Sequence, residues 1–378
     1  MTAKETGLFF AVCILLSVYR GLSLGMNRKN AICFWLVLSV MLISLYGCAG
    51  SGTDTENEYE STQAQTDSLM SEENFEYDDN YIVIGISQIG SESDWRTVNT
   101  QSYINTFTRE KGYYLIFDDG QQKQENQIKA IRKFILQEVD YIILDPIIET
   151  GWDTVLKEAK DANIPVIIAD RQVETEDDSL YKCWIGSNFK YEGWVAGEWL
   201  EKYLKEQKLA ADVINIVMLE GTMGSSAQIG RTKGFRDIAS KHRKWIILDK
   251  QSGDFTQAKA KEVMEEFLDT YDNIDVVISE NDNMTFGAIE AIKESGRTLG
   301  KDGDIIIISF DAVRDALIAI QKKEIAADIE CNPLLGPKIE EIILDMEAGK
   351  KIEKFYYIDE TYFDYTMNLE GILQYRSY

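Results

Sequence analysis

Hydrophobic and polar positions follow two patterns along the chain. Short, nearly continuous apolar runs, such as 81–87 and 141–144, are followed by stretches in which apolar residues recur at helical spacing, such as Ile128, Ile131 and Ile135. A strand that is apolar at almost every position is buried on both faces, which is typical of a parallel sheet covered by helices. The pattern therefore predicts repeated βα units.

The apolar runs fall into two sets of similar size. The predicted strands are 81–87, 113–117, 141–144 and 165–169 in the first set, and 213–219, 245–248, 276–279 and 305–309 in the second. Helical spacing predicts helices between them, including 155–162, 259–271 and 286–295. Two such sets predict an α/β fold with two doubly wound parallel-sheet lobes.

The segment 26–47 has the pattern of a lipoprotein signal peptide. A short basic region with Arg28 and Lys29 precedes an uncharged apolar run, and the run ends in Leu-Tyr-Gly before Cys48. This ending resembles the bacterial lipobox, in which the cysteine carries the lipid. The alternative is an uncleaved transmembrane anchor, because the run is close to the length that spans a bilayer. Both interpretations place the rest of the chain outside the cytoplasm, on the cell surface or in the periplasm.

Two further segments flank this signal. Residues 1–25 hold another apolar stretch, which we interpret as an extension upstream of the true start at Met26, with an upstream transmembrane helix as the alternative. Residues 48–79 are rich in Ser, Thr, Glu and Asp, and 51–80 contain no Lys or Arg. Such a composition predicts a disordered, self-repelling tether.

Charge and composition exclude several classes of function. The formal net charge of -25 argues against a nucleic-acid partner, because phosphate binding needs clustered Lys and Arg. The single histidine, His242, makes a multi-histidine metal site or a histidine-based triad improbable, and no metal or cofactor is expected. Of the five cysteines, only Cys183 and Cys331 fall in the predicted lobes, and their spacing leaves open whether they pair.

Polar and aromatic residues follow the predicted strands, where ligands of open α/β sheets bind. Carboxylates and amides bind pairs of hydroxyl groups, arginine donates hydrogen bonds in a fixed fork, and aromatic faces cover the C–H patches of a sugar ring. These positions predict a carbohydrate site, and the candidate segments at the strand ends are 90–96, 170–171, 221–231, 254–255 and 281–282, together with Asp311.

Several long blocks resemble one family of proteins. The blocks 86–96, 121–132, 149–162, 251–256 and 330–337 are similar to those of bacterial type I periplasmic sugar-binding proteins of ABC importers, with a ribose-binding-like fold and a particular likeness to the galactofuranose-binding branch. The likeness extends from about Ile82 to Phe363 and therefore covers almost the whole predicted globular part.

The resemblance implies a site, an architecture and partners. It implies ten ligand contacts, with Glu330 as the open alternative to the last of them: Ser93, Trp95, Arg96, Asp170, Arg171, Arg231, Phe255, Asn281, Asp311 and Cys331. It implies lobes at 80–186 plus 332–357 and at 187–331 plus 358–378, joined by a three-strand hinge that closes over a monosaccharide. The partners implied are the importer's permease and, indirectly, its ATPase, with the membrane contacted through the lipid on Cys48. We expect a monomer that binds without catalysis.

Some residues depart from the family's pattern. Asp145 is charged where a smaller, uncharged residue is expected after a strand, and 188–191 together with Trp194 are bulkier and more aromatic than expected at a crossover. These departures bear on the preferred sugar more than on the pocket's existence. The tryptophans that we predict to pack in the interior are Trp152, Trp184, Trp194, Trp199 and Trp245.

Two other functions use the same fold or the same residue types. A sugar-sensing module would present its occupancy to a membrane sensor kinase or chemoreceptor, and the sequence does not separate this from import. A surface glycosidase would need a carboxylate pair with one raised pKa, whereas the Asp and Arg residues here are mixed, which favours ion pairing. The mixture therefore favours binding over hydrolysis.

Overall fold

The computed structural model describes residues 81–209, 212–300 and 303–378. The predicted extension 1–25, the signal peptide 26–47 with Cys48, and the tether 48–79 lie outside the described residues. Within the described part, no helix is long and apolar enough to cross a membrane.

The first lobe is built on one sheet. Among the described residues it has six strands, all paired in parallel, in the spatial order β11-β5-β4-β3-β1-β2. Numbered in chain order, these strands are β1 Ile82–Gln88, β2 Tyr113–Asp119, β3 Tyr141–Leu144, β4 Val166–Ala169, β5 Cys183–Gly186 and β11 Phe355–Tyr357.

The second lobe repeats this plan with one difference. Its described sheet has the order β12-β10-β9-β8-β6-β7, and the strands are β6 Ile214–Glu220, β7 Trp245–Ser252, β8 Val276–Ser279, β9 Ile306–Asp311, β10 Ala327–Glu330 and β12 Tyr362–Asp364. β12 runs antiparallel to β10 at the edge of this otherwise parallel sheet. The chain reaches β12 directly from the end of β11, so it enters the sheet from the carboxyl ends of the other strands, and a parallel strand would need a long crossover instead.

Helices cover both faces of each sheet. They are α1 Asp94–Thr106, α2 Gln124–Leu136, α3 Asp153–Asp161, α4 Phe189–Glu206, α5 Ser226–Ala239, α6 Gln257–Thr270, α7 Asp282–Glu294, α8 Arg314–Gln321, α9 Gly336–Glu347 and α10 Leu369–Leu373. Alternate residues of a strand enter opposite cores: Val83 packs with Trp152, whereas Ile84 packs with Tyr103. This alternation explains why the strands read as continuous apolar runs.

The chain passes between the lobes at three places. It leaves the first sheet after Gly186, returns after Glu330, and crosses again between Tyr357 and Tyr362. The α/β fold with two lobes is confirmed, and all eight predicted strands are present. Four short strands, β5, β10, β11 and β12, were not predicted from the apolar pattern. The lobe boundaries at 80–186, 332–357, 187–331 and 358–378 stay a prediction.

The prediction that five tryptophans pack in the interior is wrong for one of them. Trp152, Trp184, Trp199 and Trp245 are buried, but Trp194 is 37% exposed. Trp194 lies on the outer face of α4 and stacks on Tyr191, with ring centroids 5.6 Å apart. Surface stacking of two aromatic rings on one helix turn thus replaces core packing at this position.

Candidate functional site

A cavity lies where the carboxyl ends of the two sheets face each other. Its lining includes residues of both lobes. All ten residues predicted from the sequence surround it, together with three that were not predicted: Glu92, Phe189 and Ala227. The structure therefore brings the predicted set together, and their role as ligand contacts stays a prediction.

The first turn of α1 places two of these residues. The Ser93 hydroxyl caps the helix by accepting a hydrogen bond from the Arg96 backbone N–H at 3.2 Å. This cap fixes Trp95 and Arg96 at the cavity. The polar residues that flank Trp95 in the sequence favour a half-exposed ring, but Trp95 is only 4% exposed. Its Nε1–H donates to the Cys331 carbonyl across the lobes at 2.7 Å.

Left-handed backbone conformations occur at several strand ends that line the cavity. The φ angles are 57° at Asp170, 59° at Phe255 and 109° at Asp311. Such conformations cost on the order of 1–3 kcal/mol each in non-glycine residues and persist where the surroundings impose them. Here they direct side chains from the ends of the sheets into the cavity.

Two arginines and several carboxylates form the polar wall of the first lobe. Arg96 Nη2 lies 2.5 Å from Asp170 Oδ2, and Arg171 Nη2 lies 2.5 Å from Glu92 Oε1. Burial opposes the charge of Arg96, but Asp170, Glu92 and Asp145 outweigh it and raise the pKa of this guanidinium. For Arg171, burial outweighs Glu92 and lowers the pKa.

A single arginine dominates the wall of the second lobe. Arg231 Nε lies 2.7 Å from Glu192 Oε2, Nη2 lies 3.2 Å from Asp311 Oδ1, and Nη1 donates to the Glu280 carbonyl. Burial opposes the charge of Arg231, yet Glu192 and Asp311 raise its pKa well above the usual range. Burial raises the pKa of Asp311 in turn.

Aromatic rings provide the apolar surfaces of the cavity. The Arg171 guanidinium of the first lobe lies 4.8 Å from the ring centre of Phe255 in the second. Phe189 and Phe310 lie 5.3 and 5.1 Å from the guanidinium of Arg231. The amide of Asn281 is partly used by the fold, since it accepts from the Met284 N–H at 2.9 Å and donates to the Phe255 carbonyl at 3.1 Å.

Two buried donors in the first lobe have no acceptor. Within the described residues, the Nε atoms of Arg96 and Arg171 make no hydrogen bond, although both residues line the cavity. An unsatisfied buried donor costs about 1–3 kcal/mol, and more when it is charged. A hydroxyl oxygen that came within hydrogen-bond distance of these groups would satisfy them.

The lobes also touch at the rim of the cavity. The Asp94 N–H donates to Asn283 Oδ1 at 3.0 Å, and Asn283 Nδ2 donates to Asp94 Oδ2 at 3.1 Å. Two further bonds cross the cleft: Gln172 N–H to Ser226 Oγ at 2.8 Å, and a backbone bond from Glu149 to Gly224 at 2.9 Å. These contacts describe a closed arrangement of the lobes.

Cys331 and Glu330, the two alternatives for one ligand contact, lie in different places. Cys331 lines the cavity, whereas Glu330 faces away and contacts Arg376 at 2.5 Å and the Tyr378 hydroxyl at 2.9 Å. Cys183 and Cys331 are both free and buried, so they do not pair in this structure. Burial raises the pKa of the Cys331 thiol well above its usual range, which keeps it protonated.

One group of potential metal ligands occurs among the described residues. The ligand atoms of Glu192, Cys331 and Glu360 lie within 4.8 Å of one another. Glu192 already pairs with Arg231, and Glu360 accepts hydrogen bonds from Ser187 Oγ at 2.6 Å and the Asn332 N–H at 2.7 Å. Burial and the neighbouring Glu192 raise the pKa of Glu360 to about 9. Through these hydrogen bonds Glu360, which lies on the third passage between the lobes, contacts Ser187 on the first passage and Asn332 on the second.

The residues missed from the sequence have recognisable signals in retrospect. Glu92 stands one position before the predicted Ser93, in the same loop after β1, and it pairs with Arg171. Phe189 begins α4 directly after the first crossing and reaches the cavity beside Arg231. The sequence showed Phe189 only as part of 188–191, a segment that is more aromatic than the family's pattern at a crossover.

Comparisons with known proteins agree with this geometry. The family model of the periplasmic binding protein domain matches residues 84–333. The galactofuranose-binding protein YtfQ of Escherichia coli is 42% identical over 277 residues, which cover 72% of this chain and 85% of the relative.

Two solved structures are similar over most of the chain. A crystal structure from Mycobacterium smegmatis in complex with β-D-fucofuranose has a TM-score of 0.74 at 41% identity, covering 78% of this chain and 95% of that one. The periplasmic binding protein component of the arabinose ABC transporter from Shewanella sp. ANA-3, bound to α- and β-L-arabinofuranose, has a TM-score of 0.72 at 41% identity, with the same coverage of 78% and 95%. With two closed α/β lobes around one cavity and this extent of sequence identity, the chain belongs to the periplasmic binding protein family.

Proposed function

We propose that this chain captures a monosaccharide between its closing lobes, outside the cytoplasm, and delivers it to the permease of an ABC importer and so to the ATPase behind it. The observation that carries the proposal is a cavity between the lobes that is lined by aromatic side chains and by Arg96 and Arg171, whose buried Nε–H groups have no acceptor among the described residues. Hydroxyl oxygens would accept these hydrogen bonds, and the rings would cover the C–H surface of the sugar.

The charge of the cavity supports an uncharged ligand. Arg96, Arg171 and Arg231 each pair with a carboxylate of their own lobe. An anionic ligand would have to displace one of these carboxylates, whereas a neutral sugar adds hydrogen bonds without adding charge. The same pairing supports binding without turnover, because the carboxyl groups of the described residues that line the cavity, Glu92, Asp170 and Asp311, each lie beside an arginine.

The ligands of the relatives support a single furanose ring. The relatives named above bind galactofuranose, β-D-fucofuranose and L-arabinofuranose, according to their descriptions. We propose galactofuranose or a galactose-like hexose as the first candidate for this chain.

A panel of sugars tests the proposal. The Cys48→Ser chain from residue 48 onward, which lacks the lipid, is assayed by calorimetry and thermal unfolding with D-galactose, D-fucose, L-arabinose and D-ribose. A bound sugar at about 100 times its Kd should stabilise the protein by about 2.7 kcal/mol. Asp170→Asn should abolish the shift, and Asp118→Asn, a half-buried carboxylate beside Lys133 on the outer strand, should leave it intact. No shift with any of the sugars would contradict the proposal.

We further propose that Cys48 carries a lipid that holds a monomeric protein on the membrane. The signal at 26–47 and the acidic tether at 48–79 support this arrangement. Cells expressing the full chain should incorporate labelled palmitate into it, and Cys48→Ser should lose the label. Equal labelling of both chains would contradict lipid attachment at Cys48.

A further inference from the structure

Asp145 is a buried carboxyl group that does not line the cavity. It directly follows β3, and the residue is 0% exposed. Its N–H donates to the Ser87 carbonyl at 3.1 Å, and its carbonyl accepts from Gln127 Nε2 at 2.6 Å. The backbone is therefore held from both sides, which fixes the side chain in one place.

The side chain of Asp145 joins two residues of α1. Its Oδ1 accepts a hydrogen bond from the Tyr103 hydroxyl at 2.9 Å and lies 3.4 Å from Arg96 Nη1. Its Oδ2 is buried and receives no hydrogen bond from the described residues. Asp145 thus contacts Arg96, which lines the cavity, through Oδ1, and its Oδ2 accepts no hydrogen bond from the described residues.

The contacts of Arg96 explain what Asp145 controls. Nη1 contacts Asp145 and, at 3.3 Å, Asn99 Oδ1, while Nη2 contacts Asp170 and, at 3.4 Å, Glu92. Only the Nε–H is left for a ligand. Because a guanidinium group is planar, holding both Nη atoms fixes the direction of the Nε–H bond.

We propose that Asp145 is a positioning residue of the sugar site, which orients Arg96 toward the ligand and takes up a proton when the sugar binds. This inference rests on the proposed function, since it describes how the same cavity holds its sugar. The proton would occupy Oδ2, the oxygen that receives no hydrogen bond.

The charges around Asp145 support this role. The groups that face it are Arg96 and Tyr103 from α1, and Asp170 and Arg171 after β4, with Glu92 beyond Arg96. Burial raises the pKa of Asp145 to about 7, although Arg96 lowers it, and Asp170 raises it further. Burial also raises the pKa of Tyr103 well above its usual range, so that Tyr103 stays a donor.

The direction of the pH effect follows from desolvation. A sugar in the cavity excludes water above Arg96 and thereby disfavours the charged form of Asp145, whose pKa is then higher in the bound protein than in the free one. Binding therefore takes up protons at pH values between the two pKa values. Affinity is greatest below this window and falls as the pH rises through it, by at most about tenfold per pH unit for one proton.

Calorimetry with D-galactose and L-arabinose at pH 6, 7 and 8 tests the inference on the Cys48→Ser chain. We expect the affinity to fall by about threefold to tenfold between pH 6 and 8. Asp145→Asn, which keeps an acceptor for Tyr103 but carries no charge, should bind within about twofold of the same value at every pH. Asp118→Asn removes another carboxyl group whose pKa burial raises, outside the cavity, and should keep the pH dependence of the parent.

A second readout counts the proton directly. At pH 7 the binding enthalpy of the parent chain should differ between phosphate and Tris by the heat of a fraction of one proton, and Asp145→Asn should show no difference. A flat affinity with no proton uptake, or an Asp145→Asn variant that keeps the pH slope, would overturn the inference while leaving sugar binding intact. If Asp145→Asn does not fold, Tyr103→Phe decides: it removes a hydrogen bond that lowers the pKa of Asp145 and should move the pH dependence to higher pH, and an unmoved pH dependence would overturn the inference. Failure of the parent chain to bind any sugar would overturn the proposed function as well.

Discussion

The two lobes hold their arginines in different ways. In the described part of the second lobe, each nitrogen of the Arg231 guanidinium has a protein acceptor, and the group lies against Phe189 and Phe310. In the first lobe, Arg96 and Arg171 each keep a buried Nε–H without one. The hydrogen-bonding groups of Arg231 in the second lobe are therefore satisfied within the protein. The Nε–H groups of Arg96 and Arg171 in the first lobe remain as donors for a ligand.

This difference assigns separate tasks to the lobes. Charged groups that are fully paired within their own lobe contribute shape and rigidity, because changing them leaves a buried charge without a partner. Groups that still lack a partner contribute to affinity, because a ligand relieves their desolvation cost. Loss of Arg231 should consequently lower stability as well as binding, whereas loss of the donors without an acceptor in the first lobe should act mainly on binding.

The largest effect is expected for Arg231→Ala. Removing this guanidinium leaves Glu192 and Asp311 buried without a cation, which should lower the free energy of unfolding by about 3–5 kcal/mol and abolish sugar binding. Urea unfolding measures the loss. Lys233→Ala, an exposed change on the same helix, should stay within about 0.5 kcal/mol of the parent. Equal stability of the two variants would remove the distinction between the lobes.

The strand ends were predictable from the sequence because apolar runs in a doubly wound fold end at the ligand. Asp170 and Asp311, for example, both stand at such ends and both reach the cavity. The short strands were less visible: β10 carries the buried Asp328 within its four residues, and burial raises the pKa of this carboxyl to about 7. A buried charged residue interrupts the apolar signal on which strand prediction depends.

The details of the site depended on three-dimensional pairing. Trp95 looked half-exposed because its sequence neighbours are polar, but its partner is the Cys331 carbonyl, 236 positions away. Glu92 is one of many acidic residues in the chain and gains its place only through Arg171. No local pattern specifies which carboxylate meets which arginine, since that choice is made by the packing of the strand-end loops.

The contact between the lobes gives an intermediate effect. Phe255 of the second lobe lies against Arg171 of the first and forms part of the cavity wall. Phe255→Leu removes the flat ring and should weaken sugar binding by about 1–1.5 kcal/mol, close to tenfold, as calorimetry would show. Phe267→Leu, in the core of the same lobe, should lower the melting temperature without changing the affinity. A loss of affinity in both variants would indicate a general loosening of the lobe instead of a ring contact.

The smallest effect is expected at the rim. Asn283 and Asp94 exchange two exposed hydrogen bonds across the cleft, and these bonds exist only when the lobes are closed. Asn283→Ala should therefore weaken sugar binding by about 0.5–1 kcal/mol, a factor of about two to five, and leave the free energy of unfolding of the sugar-free protein unchanged. Asn273→Ala, an exposed amide bonded within its own lobe to Asp275, serves as the control and should bind normally.

The rim pair also tests closure itself. Because the Asn283 side chain takes part in both bonds and the Asp94 side chain in one, Asp94→Ala combined with Asn283→Ala should cost little more than Asn283→Ala alone. Additive losses would mean that the two side chains act separately, so that the rim contributes nothing to closure. Affinity would then depend on the Nε–H donors of Arg96 and Arg171 in the first lobe, and closure of the second lobe over the sugar would add nothing through these two side chains.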